Sequence, residues 1–158
     1  MYRLNRFASL LIVGLCASPL VGGVAVAQTP APAAQAQKTL YQRLGGYDAI
    51  AAVTDDFVGR LVTDQTFARF FVGFANDSKG RIRQNIVDFF CAKTGGPCLY
   101  VGRDMKTAHA GLGVTKAEWD RSTQLLTASL KKFNVGDAEQ KDFIAIVAAI
   151  EKDIVEKP

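Results

Sequence analysis

Two helix starts are written into the last third of the chain, and they commit it to a helical fold. In Thr115-Lys-Ala-Glu118 the threonine side chain and the glutamate each satisfy a backbone N–H that the first helical turn leaves unpaired, the pattern of a capping box. Trp119, Thr123, Leu126, Leu130 and Phe133 follow at steps of four, three, four and three, which puts them on one helix face. Asp137-Ala-Glu-Gln140 repeats the cap pattern ahead of Phe143, Val147, Ile150 and Ile154. With only Asn134-Val-Gly136 between them, two such amphipathic helices are expected to lie antiparallel and to wall an all-α domain of about 120 residues.

The same period runs upstream. Tyr47 to Val62 carries Ile50, Val53, Phe57 and Leu61 on a stripe that begins after the Gly45-Gly46 break. A short segment, Gln65 to Phe71, ends in Phe70 and Phe71. Lys79 to Lys93 places Ile82, Ile86, Phe89 and Phe90 on a face, and Gly95-Gly96-Pro97 stops that helix. No run of alternating β-branched residues argues for strands.

The first 38 residues read differently. Arg3 and Arg6 precede an apolar stretch, Phe7 to Val24, which is interrupted by Gly14, Pro19, Gly22 and Gly23 and followed by Ala25-Val26-Ala27. This is the layout of a secretory signal peptide, residues 1–27, cut before Gln28; an uncleaved membrane anchor is the rival reading. Residues 28–38 are rich in Pro, Ala and Gln, too poor in large apolar groups to pack, and read as a tether to a domain over 39–158. The expected location is periplasmic, with no stable membrane span after cleavage.

Cleavage removes Arg3 and Arg6 and no acid, leaving 17 basic and 15 acidic side chains. A balance so near neutral gives no case for nucleic acid as a partner. Cys91 and Cys98 become the only cysteines. In an oxidising compartment they are a plausible disulfide, worth about 2.5 kcal/mol by the chain-entropy estimate for so short a loop. A single pair makes no structural zinc site, and neither the C-x-x-C redox spacing nor the C-x-x-C-H of covalent haem attachment is present.

The chain has one histidine, His109. Met105 lies four residues before it and Leu112 three after, so on a helix all three share an apolar face. Imidazole is the commonest protein ligand of transition metals and the usual axial ligand of haem iron. Six of the ten phenylalanines, Phe57, Phe67, Phe70, Phe71, Phe89 and Phe90, fall in the helical regions before His109. They supply either the apolar area a small core needs or the walls of a flat apolar cofactor site, and their spacing does not choose between these.

Taken in order, several pieces resemble the group I truncated haemoglobins: Leu40 to Gly46, Asp56-Phe57, Phe70-Phe71, the Gly95-Gly96-Pro97 break, Tyr100 to Met105, and Ala108-His109-Ala-Gly-Leu-Gly113. The likeness spans the whole mature domain. It implies a globin-like two-over-two helical sandwich enclosing a haem, with non-covalent haem b and His109 as proximal iron ligand. A backbone carbonyl about one turn back, near Met105, would accept from the other ring nitrogen. The same resemblance places Phe57, Val58, Phe71, Ile82, Ile86 and Phe90 on the distal or edge side, Met105 and Leu112 on the proximal side, and Tyr100 and Arg103 near a propionate.

The chain departs from the family where many members carry a distal Tyr and Gln that donate hydrogen bonds to the bound gas; those positions read as Val58 and Ile86. An apolar pocket gives up about 1.5–3 kcal/mol of charge-assisted hydrogen bonding to O2. Gln84 and Asn85 adjoin the stripe, and a shift of register would bring an amide to the iron. The expected function is therefore uptake of a diatomic gas, O2, NO or CO, supported by an unidentified reductase. The alternatives are a haem redox enzyme, such as an NO dioxygenase or peroxidase-like catalyst, and a haem-free helical interaction domain with His109 merely structural.

Overall fold

The computed structural model describes residues 37–158, so the leader and almost all of the tether lie outside the described residues. Eight α-helices follow: α1 (Leu40–Leu44), α2 (Tyr47–Thr63), α3 (Ala68–Phe71, entered through a 3-10 turn at Gln65–Phe67), α4 (Asn76–Lys93), α5 (Met105–His109), α6 (Lys116–Lys132), α7 (Asp137–Ala148) and α8 (Glu151–Ile154). Among the described residues the only β-type pairing is one parallel bridge between Thr115 and Lys157. None of these helices is long and apolar enough to cross a membrane.

Most residues of the expected stripes make the core, but Leu61, Ile82, Ile86, Thr123 and Ile150 are only half-buried, and Phe133, past the end of α6, is exposed. α2 buries Ile50, Val53, Thr54 and Phe57, and packs on both α4 and α6. α6 buries Trp119, Leu125, Leu126, Ser129 and Leu130, with the capping box of Thr115 and Glu118 formed in both directions. Thr39 and Gln42 form a second box ahead of α1. A carboxylate ties two of the layers: Asp56 of α2 accepts from Ser129 Oγ at 2.7 Å and Lys132 Nζ at 2.5 Å, both on α6, and from Arg60 Nε at 2.6 Å. These donors hold its carboxyl well below the usual carboxylate range, Lys132 contributing most.

Three local expectations are corrected. α4 begins at Asn76, three residues ahead of Lys79, because its first turn is polar and carries no apolar period to reveal it. Asp137 is not a cap: Gly136 holds that position without a side-chain bond, and the Gln140 amide donates instead to the Val135 carbonyl at 2.7 Å. The stripe from Phe143 to Ile154 is not one helix, since the chain passes through Ala149 and Ile150 with a tighter turn in which Ile150 N–H reaches Val147.

After α4 the chain reverses tightly. Cys91 and Cys98 are joined, with Cα atoms 5.7 Å apart. At Gly96 a Cβ would fall 2.4 Å from the Tyr41 ring and 2.7 Å from Cys91 Sγ, so this position admits glycine alone without rearrangement. The disulfide thus fixes the start of the segment that leads, six residues later, to the cap of α5.

Candidate functional site

α5 is only five residues long and depends on its cap. Asp104 accepts from the Thr107 N–H at 2.9 Å and from the Thr107 hydroxyl at 2.7 Å, and these bonds hold its carboxyl below the usual range. His109 is the last residue of this helix. It is half-buried, and its Nδ1 lies 2.8 Å from the Met105 carbonyl oxygen. A carbonyl only accepts, so Nδ1 carries the hydrogen, and in the neutral ring the lone pair lies on Nε2.

The turn after His109 is gripped from two sides. Glu156, near the C-terminus, accepts from Gly111 N–H at 2.8 Å and Gly113 N–H at 2.5 Å. Arg69, at the start of α3, donates to the carbonyls of Leu112 at 2.8 Å and Gly113 at 3.1 Å. The guanidinium is itself fixed by both oxygens of Glu118, at 2.9 Å, and lies 3.9 Å from the centroid of the Phe70 ring. Burial raises the Glu118 carboxyl, but the Thr115 N–H and Arg69 outweigh it and hold it below its ordinary value. None of these contacts was anticipated from the sequence; the paired glycines hint at exposed amides, but nothing local shows which side chain takes them.

The other residues named from the sequence divide into groups. Phe57 and Phe90 belong to the buried core, Phe90 standing edge-on to Phe143 with centroids 4.8 Å apart. Phe71, Ile86 and Met105 are half-buried and packed against that core, while Val58 and Ile82 are half-buried and Leu112 is exposed. Tyr100 packs its ring on Phe89 at 5.3 Å and donates its hydroxyl to the Arg103 carbonyl at 2.6 Å. Its phenol hydrogen is therefore engaged within the loop, whereas the Arg103 side chain is exposed. Gln84 donates through one amide nitrogen to both Tyr47 and Asp88, each at 2.9 Å, so both of its hydrogens are in use; Asn85 is exposed.

One imidazole nitrogen with its lone pair available, on a short capped helix among half-buried apolar side chains, is a donor set that suits haem iron. Comparison with known proteins agrees. Residues 39–156 match the family model of bacterial-like globins. A group 1 truncated hemoglobin of Synechocystis sp. is 34% identical over 116 residues, covering 71% of this chain and 88% of the relative. The crystal structure of truncated hemoglobin from Tetrahymena pyriformis in its Fe(III) form superposes with a TM-score of 0.69 at 28% identity, covering 75% of this chain and 98% of that one. The 2/2 hemoglobin of a Synechococcus species, in the cyanomet state and with covalently attached heme, gives 0.67 at 27% identity, with the same coverage.

The chain is a group I truncated haemoglobin. As a truncated globin it has the all-α fold expected from its periodicity and the globin-like form implied by the resemblance, and it is a haem-binding protein.

Proposed function

We propose that this truncated globin is an exported haem b protein that takes up a diatomic gas, O2, NO or CO, at iron ligated by His109. The observation that carries the reading is the 2.8 Å hydrogen bond from His109 Nδ1 to the Met105 carbonyl. It fixes the tautomer and the ring plane, and it leaves Nε2 as the donor a metal needs. When bound, haem supplies an iron centre with a coordination position open to a small ligand.

The protein's own side chains set the surroundings of that position. Val58, Phe71, Ile82 and Ile86, backed by the buried Phe57 and Phe90, offer apolar surface that excludes water and donates no hydrogen bond. Gln84, with both amide hydrogens engaged by Tyr47 and Asp88, has none left to donate there. This favours a gas-binding role over a redox enzyme, which would call for polar groups placed for proton transfer or anion stabilisation. On this reading Met105 and Leu112 belong to the proximal side. Arg103 is the cation suited to a propionate, and Tyr100 contributes its ring rather than its hydroxyl.

Two further points support the reading. Haem attachment without a covalent bond fits a chain whose single imidazole is the iron ligand and whose Cys91 and Cys98 are bonded to each other, which leaves no second histidine and no free thiol among the described residues to add to a vinyl group. The same disulfide fits an oxidising compartment and so the leader read over residues 1–27. In that compartment an electron donor, a reductase, would keep the iron ferrous.

The test is the absorption spectrum of the full protein supplied with haem, alone and as His109→Ala. A Soret band that collapses or shifts strongly in the variant is the expected result. Absence of the band in the unmodified protein would overturn haem binding, and an identical band in the variant would remove His109 from the iron.

A further inference from the structure

The short α5 cannot hold its own end still. It has five residues, and beyond it the chain turns through Gly111 and Gly113 with φ of +80° and +60°, a stretch with little intrinsic rigidity. Yet four backbone groups of this turn are held by side chains 43 to 45 residues away. The carboxylate of Glu156 takes the N–H groups of Gly111 and Gly113, and the guanidinium of Arg69 takes the carbonyls of Leu112 and Gly113.

Both side chains are braced. Arg69 is fixed by the two oxygens of Glu118, at the first turn of α6. Glu156 lies in a terminal segment whose backbone runs alongside residues 114–116: the N–H of Glu156 bonds to the Val114 carbonyl at 2.9 Å, and the Lys116 N–H bonds to the Lys157 carbonyl at 3.0 Å. A Cβ at Gly113 would sit 3.2 Å from Lys157 Nζ, which shows how closely the terminal segment covers the turn. α5 packs against α8, the helix that delivers this segment.

We propose that Glu156 and Arg69 are positioning residues for the proximal histidine: an anion and a cation from distant parts of the chain clamp the Gly111–Gly113 turn and thereby fix where the His109 imidazole stands relative to the iron. The inference rests on His109 being the iron ligand. Charge-assisted hydrogen bonds are short and directional, so a turn held by four of them moves little, and the ligand two residues before it inherits that restraint. Neither side chain is hydrogen-bonded to the imidazole, so the clamp acts chiefly through the backbone of the turn, with a lesser Coulomb interaction between the Glu156 carboxylate and His109.

The experiment uses the haem-loaded full protein and reads two quantities: the iron–histidine stretching band of the ferrous, gas-free form by resonance Raman, and the rate of haem transfer to excess apomyoglobin. Glu156→Ala and Arg69→Ala are expected to shift or broaden the band and to speed transfer several-fold, while Glu156→Gln, which keeps one acceptor oxygen, falls between them and the unmodified protein. Arg43→Ala, which removes an ion pair to Glu139 and Asp142 on α7, is expected to change neither. Bands and transfer rates in both clamp variants equal to those of the unmodified protein would overturn the proposal. Should an alanine variant fail to fold, Glu156→Gln and Glu156→Asp decide it on the same two readouts. His109→Ala separates the two readings: loss of the band there, with no response in the Glu156 variants, removes the clamp alone, whereas a band retained in His109→Ala removes the ligand assignment and the clamp with it.

Discussion

The turn that follows His109 and the face of α4 that carries Ile82 and Ile86 are held by different forces. The turn is short, glycine-rich and fixed by hydrogen bonds from Arg69 and Glu156. The α4 face presents half-buried isoleucines, and its polar bonds lie elsewhere on the helix, where Arg83 pairs with Asp55 at 2.6 Å and Gln84 with Tyr47. Hydrogen bonds specify direction, whereas apolar packing specifies volume. On the proposed reading the turn serves a metal ligand, which needs direction, and the α4 face serves a gas pocket, which needs volume, so each region would be built from the interaction that supplies its need.

The largest change to this contrast comes from giving the apolar face a directional group. Ile86→Gln is expected to slow O2 dissociation by roughly tenfold to over a hundredfold, the equivalent of about 1.5–3 kcal/mol for one new bond to a ligand bearing negative charge. Stopped-flow replacement of O2 by CO measures it. An unchanged rate would mean that residue 86 does not face the gas.

A second test severs the covalent link between the two regions. The Cys91–Cys98 bond ties the end of α4 to the segment that enters α5. Replacing both cysteines with serine is expected to cost about 2.5 kcal/mol by the loop-entropy estimate, read from urea unfolding, and a dithiol reductant should bring the unmodified protein to the same midpoint. If reductant leaves the midpoint unmoved, the bridge contributes nothing to stability.

Asp56 ties α2, which carries Val58, to α6. Asp56→Asn leaves Lys132, Arg60 and Ser129 facing a neutral acceptor and is expected to cost about 2 kcal/mol at pH 7. The sign with pH follows from the direction of its shift. The folded carboxyl titrates well below 3.8, so its contribution is complete above the unfolded pKa of about 3.9 and is lost as the pH falls toward the folded value. The stability gap between unmodified protein and variant should therefore narrow progressively below about pH 5 and go on narrowing as the pH approaches the folded value. A gap that persists undiminished in acid would show that packing rather than charge holds the two helices.

Local patterns carried most of what was legible in the sequence. Periodicity located α2 and α6 to within a residue, the capping box at Thr115 formed as read, and the His109 to Met105 bond followed from i to i+4 geometry on a helix end. What escaped lacked a local signal. No glycine or proline marks the break at Ala149 and Ile150, and the polar first turn of α4 has no apolar period. The Tyr100 hydroxyl closes its own loop on the Arg103 carbonyl, a bond that depends on the backbone path and not on residue type. Arg69 and Glu156 carry no signal in the sequence because the groups they bind lie more than 40 residues away.

The smallest expected effect probes where the restraint on the proximal turn ends. Thr115 Oγ1 accepts from the Glu118 N–H at 3.2 Å, and the Glu118 carboxylate accepts from the Thr115 N–H at 2.8 Å while also holding Arg69. Thr115→Ala removes the first of these bonds and the one its hydroxyl donates to the Glu118 carboxylate at 3.0 Å, but leaves the Thr115 N–H and Arg69 on that carboxylate, so it should cost about 1 kcal/mol of stability, the ordinary worth of a helix cap. Haem transfer should stay at the unmodified rate, because Arg69 keeps its anchor and Glu156 is untouched. Faster transfer at that modest cost would place the α6 cap inside the proximal restraint, and the boundary between the hydrogen-bonded turn and the rest of the scaffold would then run through the first turn of α6 rather than before it.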